Sequence, residues 1–293
     1  MPEKDLTVVI PAYNEEKSLS DFLPRVIDYC TQRDWKVIVV DDGSSDGTQA
    51  IAESHEQSGR VTVIHHKVNR GYGGAIKTGI RAVDTRYLVT IDADGQHHLD
   101  DIEFLFAELR ASDADMIVGS REGLKSASRY RDVGKRLIRF VANLLLDVQV
   151  HDLNSGMKVY DTKLAQKYLK LCPDSMAFSE VIALIFISRR HLIEERPIRI
   201  RERIAGVSTI NTMTAFETMI EIINLVILFN PMRIFLPISI ASLVFGLGWG
   251  IPIVIRGGGV SVGAMLAIIN GILFFFLALL AEQISLIRRD VGS

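Results

Sequence analysis

Residues 87–101, YLVTIDADGQHHLDD, change character a third of the way through. Tyr87 to Ile91 is a short apolar run of the kind a sheet buries. The ten residues that follow hold four carboxylates and two imidazoles. Like charges crowded at the end of a strand repel one another unless a positive partner neutralises them. The stretch therefore predicts a strand whose carboxyl end opens into a polar site.

Four more runs resemble the first half of this stretch: LTVVI (6–10), KVIVV (36–40), VTVIH (61–65) and DMIVG (115–119). Segments of helical period lie between them, Lys17 to Cys30 and Asp46 to Gln57 among them. Strands alternating with helices predict an α/β, Rossmann-like domain with a mostly parallel sheet covered on both faces. Ligands of such sheets bind beyond the carboxyl ends of the strands. Three polar motifs fall there: PAYNEE (11–16), DDGSSDGT (41–48) and DADGQ (92–96).

The chain has 293 residues and a net charge of −2, so overall charge gives no support to a nucleic-acid partner. Its two cysteines, Cys30 and Cys172, form no framework and read as reduced thiols. Leu6 already opens a strand, so no leader peptide is expected ahead of the fold. No charge appears across the 22 residues from Ile234 to Ile255, or across the 25 from Gly257 to Ala281. Each run exceeds the roughly 20 residues that cross a bilayer core as a helix. With Arg256 and three glycines between them, they predict a transmembrane hairpin. Arg233, Arg288 and Arg289 flank it, against Arg256 alone in the turn, which places both termini and the N-terminal domain in the cytoplasm. The expected divisions are an α/β domain over 1–210, a juxtamembrane amphipathic helix over 211–231, and a hairpin over 232–289 with spans at about 234–255 and 260–281. A further helix is expected over 129–147, with Leu137, Phe140, Val141, Leu144 and Leu145 on an apolar stripe beside Lys135, Arg136 and Arg139. It fits either the membrane interface or the sheet.

Asp92, Asp94 and the Gln96 amide oxygen are hard ligands and suit Mg2+ or Mn2+. An EF-hand loop would need its glycine two positions later and a Glu at the twelfth. Zinc is disfavoured because His97 and His98 are adjacent and diverge. The plainer alternative is a solvated acidic turn capping a helix that begins near Asp100. NRGYGGAIKTG (69–79) misses both the Walker and the dinucleotide patterns at Ile76, and reads as a flexible turn before a tightly packed helix. Asp41 and Asp42 can accept hydrogen bonds from a base or ribose, Tyr13 offers a stacking ring and Glu15 another acceptor. Together these residues describe a nucleotide site bridged to a metal.

VVIPAYNEE, VVDDGSSDGT, NRGYGGA and DADGQH, in this order and spacing over residues 6–122, resemble the signatures of glycosyltransferase family 2, with its GT-A fold. GSR (119–121), DLNSGMKVYD (152–161) and the hairpin resemble that family's dolichyl- or polyprenyl-phosphate hexose synthases. The resemblance implies that Pro11, Tyr13, Glu15, Val40, Asp42, Asp92 and Ala93 line the nucleotide sugar. It implies that Asp92, Asp94 and Gln96 serve the metal and donor diphosphate, that Asp94 and Arg121 are catalytic, and that Arg121, Lys135, Arg139 and Arg203 gather the acceptor phosphate. The implied reaction is inverting transfer of a hexose from GDP-mannose or UDP-glucose to a polyprenyl phosphate, on a bilayer, with a homo-oligomer left open. A processive polysaccharide synthase is the alternative enzyme, but QISLIRR (283–289) lacks the Trp such enzymes carry. A silent membrane-tethered nucleotide-binding module is the alternative outside catalysis.

Overall fold

The computed structural model describes residues 5–56, 59–121, 150–201, 220, 227 and 231–291, with side chains through Ser285. The chain divides into two compact units, an α/β body and a helical hairpin. In the body, β1 (Leu6–Ala12), β2 (Lys36–Asp41), β3 (Val61–His65), β4 (Tyr87–Thr90) and β5 (Met116–Ser120) form at the five apolar runs. β1, β4 and β5 are buried along their whole length. That is why they read as unbroken Val/Ile runs and not as alternating patterns.

The helices between them are α1 (Glu16–Gln32), α2 (Thr48–Ser54), α3 (Tyr72–Ala82) and α4 (Leu99–Ser112). α1 buries Leu19, Phe22, Leu23, Val26 and Cys30, the one-sided spacing of a helix lying on a sheet. Then come β6 (Lys158–Asp161), α5 (Thr162–Tyr168), α6 (Phe178–Ser188) and β7 (Ile193–Pro197).

The described strands form one seven-stranded sheet in the order β3-β2-β1-β4-β6-β5-β7. β6 runs antiparallel to both neighbours and every other pair is parallel. The sheet is thus the mostly parallel one expected, and β6 and β7 are additions to it. Neither shows as an apolar run. β6 has four residues and starts on a lysine, and β7 is the charged edge sequence IEERP. The order turns back at β1, with β2 on one side and β4 on the other, and this opens a crevice beyond their carboxyl ends. Because β5 is parallel to β4 in space, Arg121 and the 92–96 motif leave the sheet at the same edge. Cys30 and Cys172 are free and buried, as expected of reduced thiols.

The hairpin is α7 (Met232–Ile255) and α8 (Val262–Val291). Both are long and apolar enough to cross a membrane. α7 begins two residues before the expected span, directly after Pro231, and α8 runs past the expected end through Arg288 and Arg289. The two pack through small residues. A Cβ on Gly271 would lie 2.7 Å from Leu243 Cγ, and Ser239 Oγ donates to the Gly271 carbonyl at 2.7 Å. Close backbone approach is how apolar helices associate where lipid removes the hydrophobic drive. The helix expected over 129–147 lies outside the described residues. Of the juxtamembrane segment 211–231 only Ile220, Ile227 and Pro231 are described, the first two helical.

Candidate active site

Two loops beyond β1 and β2 are knitted together by short polar side chains. The Asn14 N–H donates to Ser44 Oγ at 2.9 Å, the Ser45 N–H to Asn14 Oδ1 at 2.8 Å, and the Glu15 N–H to Thr48 Oγ1 at 2.9 Å. The Tyr13 ring stands 47% exposed above this pair of loops, open to a stacking partner. Glu15 is half-buried, while Pro11, Val40 and Ala93 are buried, with Pro11 and Val40 in register across β1 and β2.

The two carboxylates of the second loop are spent largely inside the chain. Asp41 is fully buried, with Oδ2 2.5 Å from His65 Nδ1 and Oδ1 accepting the Ser44 N–H at 3.2 Å. Asp42 accepts the N–H groups of Arg70 and Gly71, both at 2.9 Å, and lies 2.6 Å from His66 Nδ1. Asp42, expected to accept from base or ribose, also pins the loop that starts α3. The helix is tightly packed at its start, as its glycines foretold: a Cβ on Gly73 would lie 2.5 Å from the Pro173 carbonyl oxygen. Lys77 locks the contact with bonds to the Cys172 carbonyl at 2.8 Å and to Asp174 Oδ1 at 2.6 Å.

Beyond β4 the acidic motif finds its positive partners. Tyr72 Oη donates to Asp92 Oδ1 at 2.9 Å, and His97 Nε2 lies 3.6 Å from Oδ2. Burial pushes the Asp92 carboxyl up, but the bond and charge of His97, with Tyr72 and Arg121 behind them, hold it below the usual carboxylate range. Burial also raises the Tyr72 phenol, and the Asp92 charge raises it further, so Tyr72 stays protonated and remains a donor. Asp94 is buried, and its Oδ1 accepts the Gln96 N–H at 3.1 Å. The Gln96 carbonyl in turn accepts the Arg201 N–H at 2.8 Å. Asp101 is not part of a solvated cap: it is buried and holds Arg199 through Nε at 3.0 Å and Nη2 at 2.8 Å.

Gly156 makes room for Asp92, since any Cβ there would meet the Asp92 carboxylate at 2.2–2.6 Å. Among the described residues no three His, Cys, Asp or Glu side chains converge on a metal position. The set on hand is the two carboxylates of Asp92 and Asp94 and the Gln96 amide oxygen, all hard donors. It fits an ion of the Mg2+ type, which takes one or two carboxylates from the protein and completes its shell with phosphate oxygens and water.

Arg121 is held where the fifth strand ends. Its Nε donates to Asp152 Oδ2 at 2.8 Å, its Nη2 to Asp152 Oδ1 at 2.9 Å and to the Asn154 carbonyl at 3.0 Å. This two-pronged bond raises the Arg121 pKa above its ordinary value. Burial alone would raise the Asp152 carboxyl, and the guanidinium overrides it. Arg121 is therefore a fixed fork and not a free arm. Beneath it lies Lys158, fully buried on β6 between Thr90 and Val118, its Nζ donating to the Ser155 carbonyl. Burial lowers its ammonium to about 8, against the charges of Glu180 and Asp152, which raise it. Tyr72, Asp152, Gly156 and Lys158 were not singled out from the sequence as site residues. The glycines around Tyr72 and the run DLNSGMK were the signals that point to them. Lys135, Arg139 and Arg203 lie outside the described residues.

Residues 7–169 match Glycosyl transferase family 2, and residues 230–287 match the GtrB C-terminal hairpin. The Methanocaldococcus jannaschii protein MJ1222 is 30% identical over 231 residues, spanning 75% of this chain and 91% of that protein. The undecaprenyl-phosphate 4-deoxy-4-formamido-L-arabinose transferase of Salmonella paratyphi B is 26% identical over a 305-residue alignment, spanning 99% and 91%. Glucosyl-3-phosphoglycerate synthase from Mycobacterium tuberculosis, solved with Mn2+, uridine diphosphate and phosphoglyceric acid, superposes with a TM-score of 0.61 at 18% identity, over 76% of this chain and 78% of that one. This last likeness is one of fold. The sheet order, the acidic motif at its carboxyl edge and the matched residues agree: the chain belongs to glycosyl transferase family 2, as a glycosyltransferase with a C-terminal hairpin of the GtrB type.

Proposed function

We propose that this enzyme moves a hexose from a nucleotide diphosphate sugar to a polyprenyl phosphate, and that it does so at a membrane. One observation carries the reading: Asp92 is held ionised at the same sheet edge as the Arg121 fork, in a chain that ends in two membrane-length apolar helices. A carboxylate cluster suits a metal-bridged diphosphate, and a guanidinium suits a second phosphate. The Salmonella relative acts, by its name, on an undecaprenyl phosphate, and the mycobacterial fold relative was solved with uridine diphosphate. The first supports the acceptor class, and the second makes UDP-glucose the first donor to try.

In this reading Tyr13 stacks on the base, and Glu15, with the loop that Asp42 pins, borders the ribose. Asp92, Asp94 and Gln96 hold Mg2+ or Mn2+, which when bound supplies positive charge against the departing diphosphate. Arg121 receives the acceptor phosphate on the edge of its guanidinium that Asp152 leaves open, and Lys135, Arg139 and Arg203 complete that pocket. A phosphate monoester with a second pKa near 6 is mostly dianionic at neutral pH and needs little help from a base to attack. What the chain must supply is neutralisation of two crowded phosphates. Direct displacement inverts the anomeric carbon, so an α-linked donor gives a β-linked lipid phosphate sugar. The divisions 1–210, 211–231 and 232–289, with the catalytic domain in the cytoplasm, belong to the same proposal.

The test is a donor panel of UDP-glucose, GDP-mannose and a UDP-N-acetylhexosamine, offered with a short polyprenyl phosphate and Mn2+. The expected product is a lipid carrying one phosphate and one sugar, seen by mass spectrometry. A polymer would point to a processive synthase, and donor binding without transfer would point to a nucleotide-binding module.

A further inference from the structure

The run PIRIRERI (197–204) alternates isoleucine with arginine, and it lies outside the residues matched by either family. In the structure its first part runs as a strap across the acidic motif. Ile200 pairs with His97 in an antiparallel bridge, and the Arg201 N–H donates to the Gln96 carbonyl at 2.8 Å. Gln96 returns the contact, its Nε2 donating to the Arg201 carbonyl at 3.4 Å. The amide's donor is thus spent on the strap and its oxygen is left for the ion.

Residues paired across extended segments share one face, and their chain neighbours share the other. Ile198 and His97 are buried and Ile200 packs on the core, so theirs is the inner face. Gln96, His98, Arg199 and Arg201 therefore lie on the outer face, where His98 is within reach of both guanidinium charges. The two arginines differ in what they hold. Arg199 is bonded to Asp101 and lies 3.6 Å from Asp100 Oδ2. The Arg201 side chain is exposed and has no partner among the described residues. An exposed arginine is ordinary on a surface, but this one stands across from Gln96, at the end of the motif that carries Asp92 and Asp94.

Charge says what belongs beside it. In the reaction proposed above, the two aspartates offset a divalent ion, which leaves the charge of the donor diphosphate uncancelled. Arg121 is already bonded to Asp152, whereas Arg201 brings a charge that no described carboxylate has taken up. We propose that Arg201 is a donor-site residue whose guanidinium binds the diphosphate of the nucleotide sugar beside Gln96. The inference rests on the donor reading above and adds to it a residue outside the matched motifs. Bonds between guanidinium and phosphate are charge-assisted and strengthen as the diphosphate gains charge on leaving. Arg201 therefore favours departure as well as binding, and the two backbone contacts of the strap keep it in step with Gln96.

Calorimetry on the full-length protein in detergent micelles with Mn2+ tests this, using UDP and GDP as probes and carrying the tighter one forward. Arg201→Ala is expected to weaken that diphosphate about tenfold to a hundredfold. Its melting temperature should hold, because the strap is fastened by backbone groups and by Arg199. Arg201→Lys should recover part of the affinity, keeping the charge without the fork. In a transfer assay, the KM for a short polyprenyl phosphate should stay near that of the parent. An alanine variant that binds the diphosphate as tightly as the parent would overturn the proposal, as would a defect confined to the acceptor titration. A parent that binds neither diphosphate would overturn the donor reading itself.

Discussion

At the sheet edge, Asp41, Asp42, Asp101 and Lys158 are each 5% exposed or less, and each is bonded within the chain. On the hairpin, Val254, Leu266 and Leu280 stand 54–61% exposed, and Asn270 has no partner among the described residues. In the first unit these charged groups are inside and bonded; in the second the apolar groups are outside. The difference teaches where to look for ligands. In a body that settles its own charges, the groups left open are informative: the Tyr13 ring, the half-exposed Asp92 and the outer edge of Arg121. In a hairpin that shows its apolar surface everywhere, the informative group is the polar one.

The comparison breaks most severely if the acidic edge can lose a charge without consequence. Asp94→Asn is expected to lower turnover on the order of a hundredfold or more, as removing other transition-state stabilisers does, while the melting temperature holds. Mn2+ binding followed by electron paramagnetic resonance should weaken in parallel. Near-normal turnover, or full activity in excess chelator, would remove the metal from the proposed mechanism. Gly156→Ala tests the same edge by volume alone. Its new methyl would stand 2.2–2.6 Å from the Asp92 carboxylate, so Asp92 must move. A loss of about tenfold to a hundredfold in kcat is expected from displacing a positioned group. An alanine variant with wild-type kinetics would show that the position of Asp92 is not critical.

Arg121 sharpens the contrast, because it is both bonded and half-open. Arg121→Ala is expected to raise KM for polyprenyl phosphate and lower kcat/KM about tenfold to a hundredfold, with donor affinity nearly unchanged. The same change strips the partner from Asp152, so stability must be read separately. Arg121→Lys retains a charge near Asp152 without the fork. Recovery of melting temperature in the lysine variant, with acceptor KM still raised, would assign the fork to the acceptor. A defect confined to donor titration would move Arg121 to the diphosphate.

How much of this was legible in the sequence follows from the same physics. Strands buried on both faces must be apolar throughout, so β1, β2, β4 and β5 announced themselves, and so did the spans. The motifs at the strand ends marked the site because carboxylates crowd only where something will neutralise them. What did not show was the set of residues that positions the site. Tyr72, Lys158, Asp152 and Gly156 lie 20 to 66 positions from Asp92 and reach it only through the sheet order, in which β6 inserts antiparallel between β4 and β5. Nor did the sequence reveal that Asp42 turns inward, since a carboxylate after a strand reads the same whether it faces a ligand or the N–H groups of Arg70 and Gly71.

The smallest expected effect concerns a fully buried charge. Lys158 in the folded chain titrates at about 8, lowered by burial, whereas an unfolded lysine titrates near 10.4. Below pH 8 both states carry the proton, and the folded chain bears the full cost of the buried ammonium. Between pH 8 and about 10.4 the unfolded chain holds a proton that the folded chain has released, so this residue makes stability rise with pH across that window. The gain is no more than about 1 kcal/mol between pH 8 and 9. Lys158→Met keeps the length and removes the charge, so the variant should lack this rise while the other lysines and tyrosines contribute equally to both proteins. Urea midpoints measured at half-unit steps from pH 7.5 to 10 should therefore converge or diverge between the two, with the wild type climbing relative to the variant. Parallel curves would mean that Glu180, Asp152 and Asp92 hold the ammonium charged through the whole range. The interior of this sheet edge would then be governed by its ion pairs and not by desolvation.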